Sequence, residues 1–578
     1  MPSSALLKIS PYGKVNFAYI REHGLAYADK TRFIETLENC GADYPFIVRP
    51  RRFGKTLATN MLEAYYDEAA AERFERTFTG TYIGEHKTAL ASQFRVLHFD
   101  FSGIASSNHQ TLTEEFQESV LSSIRNYFDR YPHPQQNEVL SGHFSSATVL
   151  ITRFFSLLDT AAAPRLYVLI DEYDQFANEV LSRDLDHFKA ITSSEGFLKN
   201  FFTKLKTYTN RLIARIFITG VTSISLDSMT SGFSISTNVT TFPAFADTYG
   251  FTEAELRSLI PQLLDIARWK VDPDVLTARM KEWYNGYRFS PQSEVTVFNP
   301  TMCLGYLLTW QNIGEEPDSL LDPNLGQNLD KIEKILQLGD AAFVKATVEQ
   351  ALRREPIPFT GRLKTLNLNQ ASQFDDSSLL SAMFYLGFLT YAPGKAQTLV
   401  IPNRAVSIQF FEYFLKHVLQ TEKYEFVAAD FLDAIQALVA GDPRPLFQVT
   451  CDRFTASGGL HTYTHLKESD FQTLLIGAFN FTNAYAVASE DEVRGKEKGY
   501  IDILAVPSPG SRADTSYLVE VKYLSPKRAT ESAKAEALAG AKEQIRRYEQ
   551  GDNIKHLTKL KRIVALFVGL KLEKLDIF

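Results

Sequence analysis

Two groups of residues in this chain have types and spacings that chemistry can use. Near the C-terminus, Asp502 lies in one apolar run (GYIDILAV, Gly499 to Val506), and Glu520 and Lys522 alternate within a second (YLVEVKY, Tyr517 to Tyr523). A loop rich in Pro, Gly and Ser separates the two runs, so they read as a hairpin. Side chains alternate faces along a strand, so Glu520 and Lys522 share a face, Val521 points away, and Asp502 approaches from the neighbouring strand. Two carboxylates and a lysine brought together this way suit hydrolysis at phosphorus. Asp502 and Glu520 would bind a hard divalent cation, while Lys522 positions or deprotonates the attacking water.

The second group is RPRRFGKT, Arg49 to Thr56. It fits the phosphate-binding pattern G-x-x-x-x-G-K-[ST] except that Arg49 replaces the first glycine. Backbone N–H groups of Arg52, Phe53 and Gly54 would cradle phosphate oxygens, Lys55 would reach the β- and γ-phosphates, and Thr56 would offer its hydroxyl to Mg2+. Such a site needs an acidic residue at the tip of a nearby strand, and LYVLIDE supplies Asp171 for the magnesium and Glu172 to orient and deprotonate water. Thr219 ends the next expected strand and would touch the γ-phosphate, with Thr222 and Ser223 as substitutes. Arginine at the first glycine position implies a negative φ there.

The elements that must hold these groups are legible as periodicity. Tyr44 to Val48 is a short apolar run, the loop follows it, and Leu57 to Tyr66 has helical spacing. Phe94 to Phe101, Leu166 to Ile170 and Ile213 to Thr219 read as strands and Leu112 to Phe128 as a helix, an alternation that implies a mostly parallel sheet covered on both faces. From Thr252 to Trp283 the pattern is helical, and Leu379 to Pro402 reads as helix, strand, turn, strand, a winged-helix unit. A helix from Lys467 to Phe479 opens a last segment of strand, strand, helix, strand. The 578 residues therefore divide into an α/β P-loop part at 1–255, a helical and winged-helix part at 256–425, and a second α/β part at 426–578.

Bulk properties exclude some classes. No apolar stretch is long enough to span a bilayer and the N-terminus lacks a signal-peptide core, so a cytoplasmic protein with no membrane partner is expected. Cys40, Cys303 and Cys451 form no CxxC pair and are expected to be buried thiols; His461 and His465, one helical turn apart, lack a second ligand pair for zinc. The net charge is −7, yet residues 451–578 hold 19 Lys+Arg against 17 Asp+Glu, which permits a nucleic-acid partner there. Lys527, Arg528, Arg546, Arg547, Lys559, Lys561 and Arg562 are the candidate phosphate contacts.

Together with Asp29-Lys-Thr31 before the loop, WYNGYRF (283–289), VFNP (297–300) and YLGFLT (385–390), the RPRRFGKT loop resembles the AAA-ATPase-like proteins that end in a restriction-like nuclease domain. The resemblance covers nearly the whole chain and implies an AAA-like P-loop core, with Arg288 the one arginine-finger candidate. It also implies that D…ExK is the signature of PD-(D/E)XK nucleases. Glu468 then sits on the helix where that fold supplies a further acidic ligand, and Gln544 and Tyr548 match the QxxxY helix of one nuclease branch. The expected protein is thus an ATPase coupled to a Mg2+- or Mn2+-dependent nuclease acting on nucleic acid, DNA foremost, and open to homo-oligomerisation. Its rivals are an NTP-operated switch that binds nucleic acid without cutting, and a nucleotide held as a structural element.

Overall fold

The computed structural model describes residues 7–104, 109–159, 165–175, 197–209, 211–223, 235–317, 319–321, 333, 335–337, 339–361, 363–364, 375–413, 428–456, 467–481, 484–489, 491–492 and 500–578. The pair His461 and His465 lies outside them. The chain forms two compact units: Met1–Pro273 with Tyr284–Asp340 and Pro358–Pro402, and Asp274–Trp283 with Ala341–Ile357 and Asn403–Phe578.

The first unit is built on a five-stranded parallel sheet of β1 (Pro45–Val48), β2 (Arg95–Asp100), β3 (Leu166–Asp171), β4 (Ile213–Gly220) and β5 (Thr237–Asn238), in the order β2-β3-β4-β1-β5. Strand β3 is buried along its whole length, which is why its sequence is continuously apolar rather than alternating. Helix α1 (Lys55–Tyr66) follows β1 directly, while α2 (His109–Arg130), α3 (Ala147–Leu158) and α4 (Phe197–Tyr208) complete the covering layers. Because the strands are parallel, the residues after β1, β3 and β4 emerge at one edge of the sheet, where ligands of open α/β sheets bind.

Parts of the motifs WYNGYRF (from Tyr284 on), VFNP and YLGFLT pack inside this unit. The ring of Phe53 meets Tyr287 and Phe289 edge-on, at centroid distances of 4.8 and 5.4 Å. Asn299 caps helix α5 (Pro300–Ile313) by accepting from Met302 N. Helix α6 (Asp376–Tyr385) precedes the hairpin of β6 (Thr390–Ala392) and β7 (Lys395–Val400), the helix-strand-turn-strand read from sequence. Gly286 has φ 96°, and a Cβ there would stand 1.9 Å from Pro402 O, so only glycine fits.

The second unit centres on a mixed sheet of β8 (Tyr485–Ala488), β9 (Ile503–Pro507), β10 (Ser516–Leu524), β11 (Leu560–Val568) and β12 (Lys571–Ile577), ordered β12-β11-β10-β9-β8. The expected hairpin is β9 and β10, paired antiparallel, and β10 runs parallel to β11 through the crossover helix α8 (Glu531–Tyr548). One face, with Tyr517, Val519 and Val521, packs on α7 (Glu468–Phe481) and the helix Arg444–Ala456; the other, with Leu518 and Val564, packs on α8.

Cys303 and Cys451 are buried thiols, the latter pushed up to about 12 by burial, and Cys40 is half-buried. No helix among the described residues is long and apolar enough to cross a membrane.

Candidate active sites

The phosphate-binding loop joins β1 to α1, and Gly54, at the N-cap of α1, has φ 91°. The second left-handed residue of the loop is Arg52, at φ 70°; Arg49 is not among the positive-φ residues, in line with the expectation from its type. Arg49 is engaged with backbone carbonyls and a ring. Its side chain is buried beneath the loop, donating to Val48 O at 2.8 Å, Thr240 O at 2.9 Å and Phe245 O at 2.6 Å, with the guanidinium 4.3 Å from the centre of the Phe289 ring. Burial lowers its pKa to about 9, still cationic at neutral pH. Arg49→Met is expected to leave these carbonyls unpaired and to destabilise the first unit by about 3 kcal/mol, read as a lower urea midpoint. A midpoint equal to the parent's would refute the strut.

Lys55 is buried, with Nζ 3.3 Å from Pro50 O and 3.4 Å from Glu172 Oε1. Glu172 takes φ 49°, and among the described residues its Oε2 is buried without a hydrogen-bond partner. Asp171 is fully buried at the end of β3, accepting from the Glu172 N–H at 2.9 Å and from Thr59 Oγ1 at 3.4 Å, with Thr56 as a further hydrogen-bonding neighbour. Thr219 is buried at the end of the intervening strand β4. The loop, Asp171, Glu172 and Thr219 therefore lie along one sheet edge.

Burial, then the charge of Glu172, raises Asp171 to about 6. For a carboxyl whose folded pKa exceeds its ordinary value of 3.8, ionisation costs stability: nothing below the ordinary value, the full amount above about 6. Asp171→Asn is accordingly expected to stabilise the nucleotide-free protein by about 2 kcal/mol at pH 8 and to lose that gain by pH 4. Urea melts at the two pH values check this, and a variant less stable than the parent at pH 8 refutes it.

Sequence reasoning missed Asp174. Its buried carboxylate accepts from Val221 N at 3.0 Å and from Thr222 N and Oγ1, both at 2.6 Å, pinning the turn after β4. Thr222, the proposed substitute for Thr219, is thereby engaged as the partner of Asp174. Arg51 donates to Gln175 at 2.8 Å. Arg288, the arginine-finger candidate, is buried and bonds Ser293 O and Glu294, which makes it a strut of its own turn. Asp29 likewise has a structural part in the DKT triplet, accepting from Thr31 N and Tyr82 N, and Lys30 pairs with Glu255 at 2.6 Å.

In the second unit, Glu520 and Lys522 lie on the α8 face of β10, and Asp502 sits at the bend before β9. Asp502 Oδ2 accepts from Val521 N at 2.7 Å, fixing it against β10. Lys522 Nζ is 2.9 Å from Glu520 Oε1 and 3.4 Å from Glu468 Oε1, while Glu468 Oε2 accepts from Tyr523 N at 3.2 Å. The four residues Asp502, Glu520, Lys522 and Glu468 are thus brought together. Burial, then the neighbouring carboxylates, pushes Glu520 up; Asp502 is raised by burial, with Glu468 adding to it. Burial alone would lower Lys522, but Glu520, Glu468 and Asp502 outweigh it and raise its pKa, so it is an ammonium here. An ammonium donates hydrogen bonds and places positive charge beside the two carboxylates. Gln472, one turn after Glu468, hydrogen-bonds Asp502, a contact with no advance signal beyond the helical spacing of the two.

The QxxxY pair is placed differently. Tyr548 is buried in the apolar layer with Ala541 and Ile545, and Gln544 is half-buried beside it. Among the described residues no hydrogen bond joins either to Asp502, Glu520 or Lys522. Of the basic candidates, Lys559 pairs with Asp514, Lys561 with Gly441 O and Arg562 with Glu549, whereas Lys527, Arg528, Arg546 and Arg547 are exposed.

Among the described residues no group of three or more His, Cys, Asp or Glu is arranged as a ready cation cage. Mg2+ does not need one, since it keeps several waters and takes one or two carboxylates plus substrate phosphates. Asp502, half-buried, and Glu520, buried, whose carboxyls are raised by desolvation and then by neighbouring negative charge, fit that requirement.

Residues 11–230 match the AAA-ATPase-like family, described as predicted AAA-ATPase, and residues 466–576 match the PD-(D/E)XK nuclease superfamily. No curated protein matches the chain. Among solved structures, the chain is similar to the Walker-type ATPase of Pyrococcus abyssi at 12% identity and a TM-score of 0.40, over 70% of this chain and 99% of that one.

Proposed function

From a chain with an AAA-ATPase-like domain at 11–230 and a PD-(D/E)XK nuclease superfamily domain at 466–576, we propose a protein that hydrolyses ATP and cleaves nucleic acid, DNA foremost. Lys55, Thr56 and the N–H groups from Arg52 to Gly54 hold the triphosphate, Asp171 and Thr56 hold its Mg2+, Thr219 contacts the γ-phosphate and Glu172 orients the water. Asp502 and Glu520, with Glu468 behind them, hold a divalent cation whose charge polarises the scissile phosphate. Lys522, kept cationic by its carboxylates, steadies the attacking water and the charge that develops on phosphorus. The observation that carries the reading is the meeting of Lys522 with Glu520 and Glu468 beside Asp502.

The competing reading is an NTP-operated switch that holds nucleic acid uncut. It draws on the present engagement of Asp502 and Glu468 with the Val521 and Tyr523 N–H groups. The deciding experiment incubates the protein with linear, circular and single-stranded DNA and with RNA, with and without ATP, in Mg2+, Mn2+ or EDTA. Metal-dependent breaks support the nuclease; phosphate release with every polymer intact under both metals supports the switch.

A further inference from the structure

Helix α1, which starts at the phosphate-binding loop, carries Thr56, Thr59 and Glu63 at spacings of three and four residues, so the three share one face. Thr59 donates to Asp171 Oδ2 at 3.4 Å, and Thr56 hydrogen-bonds the same carboxyl. One turn on, Glu63 Oε2 meets His98 Nδ1 of β2 at 2.8 Å. His98 pairs in register with Leu169, two residues before Asp171. Residues two apart on a strand share a face, so His98 and Asp171 emerge on the same side of the sheet, the side that α1 covers.

The contact is between charged groups. Burial works against the charge of Glu63, but His98 and Arg130 outweigh it and lower its pKa to about 2. A carboxylate can only accept, so the proton of the contact lies on His98 Nδ1. Burial opposes a charge on the ring as well, yet Glu63, then Asp171 and Asp100, raise its pKa. Among the described residues Nε2 is buried without a hydrogen bond, which leaves Glu63 as the ring's partner. Glu63 Oε1 is also 2.5 Å from Arg130 Nη1 at the end of α2, and Arg130 Nη2 donates to Val96 O of β2 at 3.1 Å. Strand β2 is an edge of the sheet, and these side chains fix it against α1.

We propose that His98 is a positioning residue of the ATPase site: through Glu63 it sets α1 in register with β2 and β3, and so places the Thr56 hydroxyl against Asp171, the two groups read as holding Mg2+. The inference rests on that reading of the first unit. Calorimetric titration of the full-length protein with the β,γ-imido analogue of ATP, once in Mg2+ and once in EDTA, is the test. The ratio of the two affinities reports the metal's contribution without turnover. His98→Leu is expected to cut that ratio about tenfold and to leave the affinity in EDTA at the parent's value. His98→Asn, which puts an amide N–H where Nδ1 stood, is expected to restore most of the ratio. Glu63 keeps Arg130 in both variants, so the fold is expected to stand, with urea midpoints as the check. Should His98→Leu fail to fold, His98→Gln, whose amide extends to the Nε2 side, is read in its place. A ratio in the Leu or Gln variant equal to the parent's, equal losses in Mg2+ and EDTA, or a His98→Asn ratio no better than that variant's would each overturn the role of His98. A parent that binds equally in Mg2+ and EDTA, or in neither, would instead remove the magnesium reading of Thr56 and Asp171, and the inference with it.

Discussion

Replacing Glu172 with glutamine should leave ATP binding near the parent's value while phosphate release slows by about 10²-fold or more. The side chain has two oxygens in different circumstances: Oε1 lies 3.4 Å from Lys55 Nζ, and Oε2 is buried and without a hydrogen bond among the described residues. On the proposed reading a γ-phosphate would offer Lys55 a stronger partner than Glu172, and the freed carboxylate would face the reacting end of the nucleotide. Glutamine has the same shape but no basic oxygen, so the deficit should appear in kcat with KM little changed. Measuring phosphate release and ATP affinity on the same preparation checks this. Turnover equal to the parent's would refute the role of Glu172, and would leave the nucleotide as a structural element of the unit.

The second large effect is expected at the other site. Asp502→Asn and Lys522→Ala should each reduce cleavage by about 10²-fold or more without abolishing nucleic-acid binding. Asp502 is fixed by the Val521 N–H, so its asparagine keeps the position and loses the charge that a cation needs. Removing Lys522 leaves Glu520 and Glu468 facing one another without their shared cation. Gel assays of cutting, run beside filter binding on the same substrate, read both quantities. Cutting by Lys522→Ala at the parent's rate would place the chemistry elsewhere in the chain.

Much of this was legible beforehand because it depends on local period. The continuous apolar run of β3 and the alternation of β10 both fix which way side chains point, and with them Asp171, Glu520 and Lys522. Long-range partners were not legible. Nothing near Arg49 announces that its guanidinium is taken up by carbonyls of Thr240 and Phe245, roughly two hundred residues later. The α8 helix shows the opposite limit. A four-residue spacing does put Gln544 and Tyr548 on adjacent parts of one face, but the same face carries Ala541 and Ile545 into the core, and spacing alone cannot separate a catalytic stripe from a packing one. Asp174 was passed over because three acidic residues, Asp171, Glu172 and Asp174, stand within four positions at the end of β3, and only the turn after β4 decides which of them is tied down.

Strand β10 has a neighbour along each side, β9 and β11, and helices over both faces. Its amides can meet solvent deuterium only when a large part of that unit opens, so they should be among the last of the unit to exchange. The carboxylate and ammonium it presents are therefore mounted on backing that a polymer need not organise on arrival.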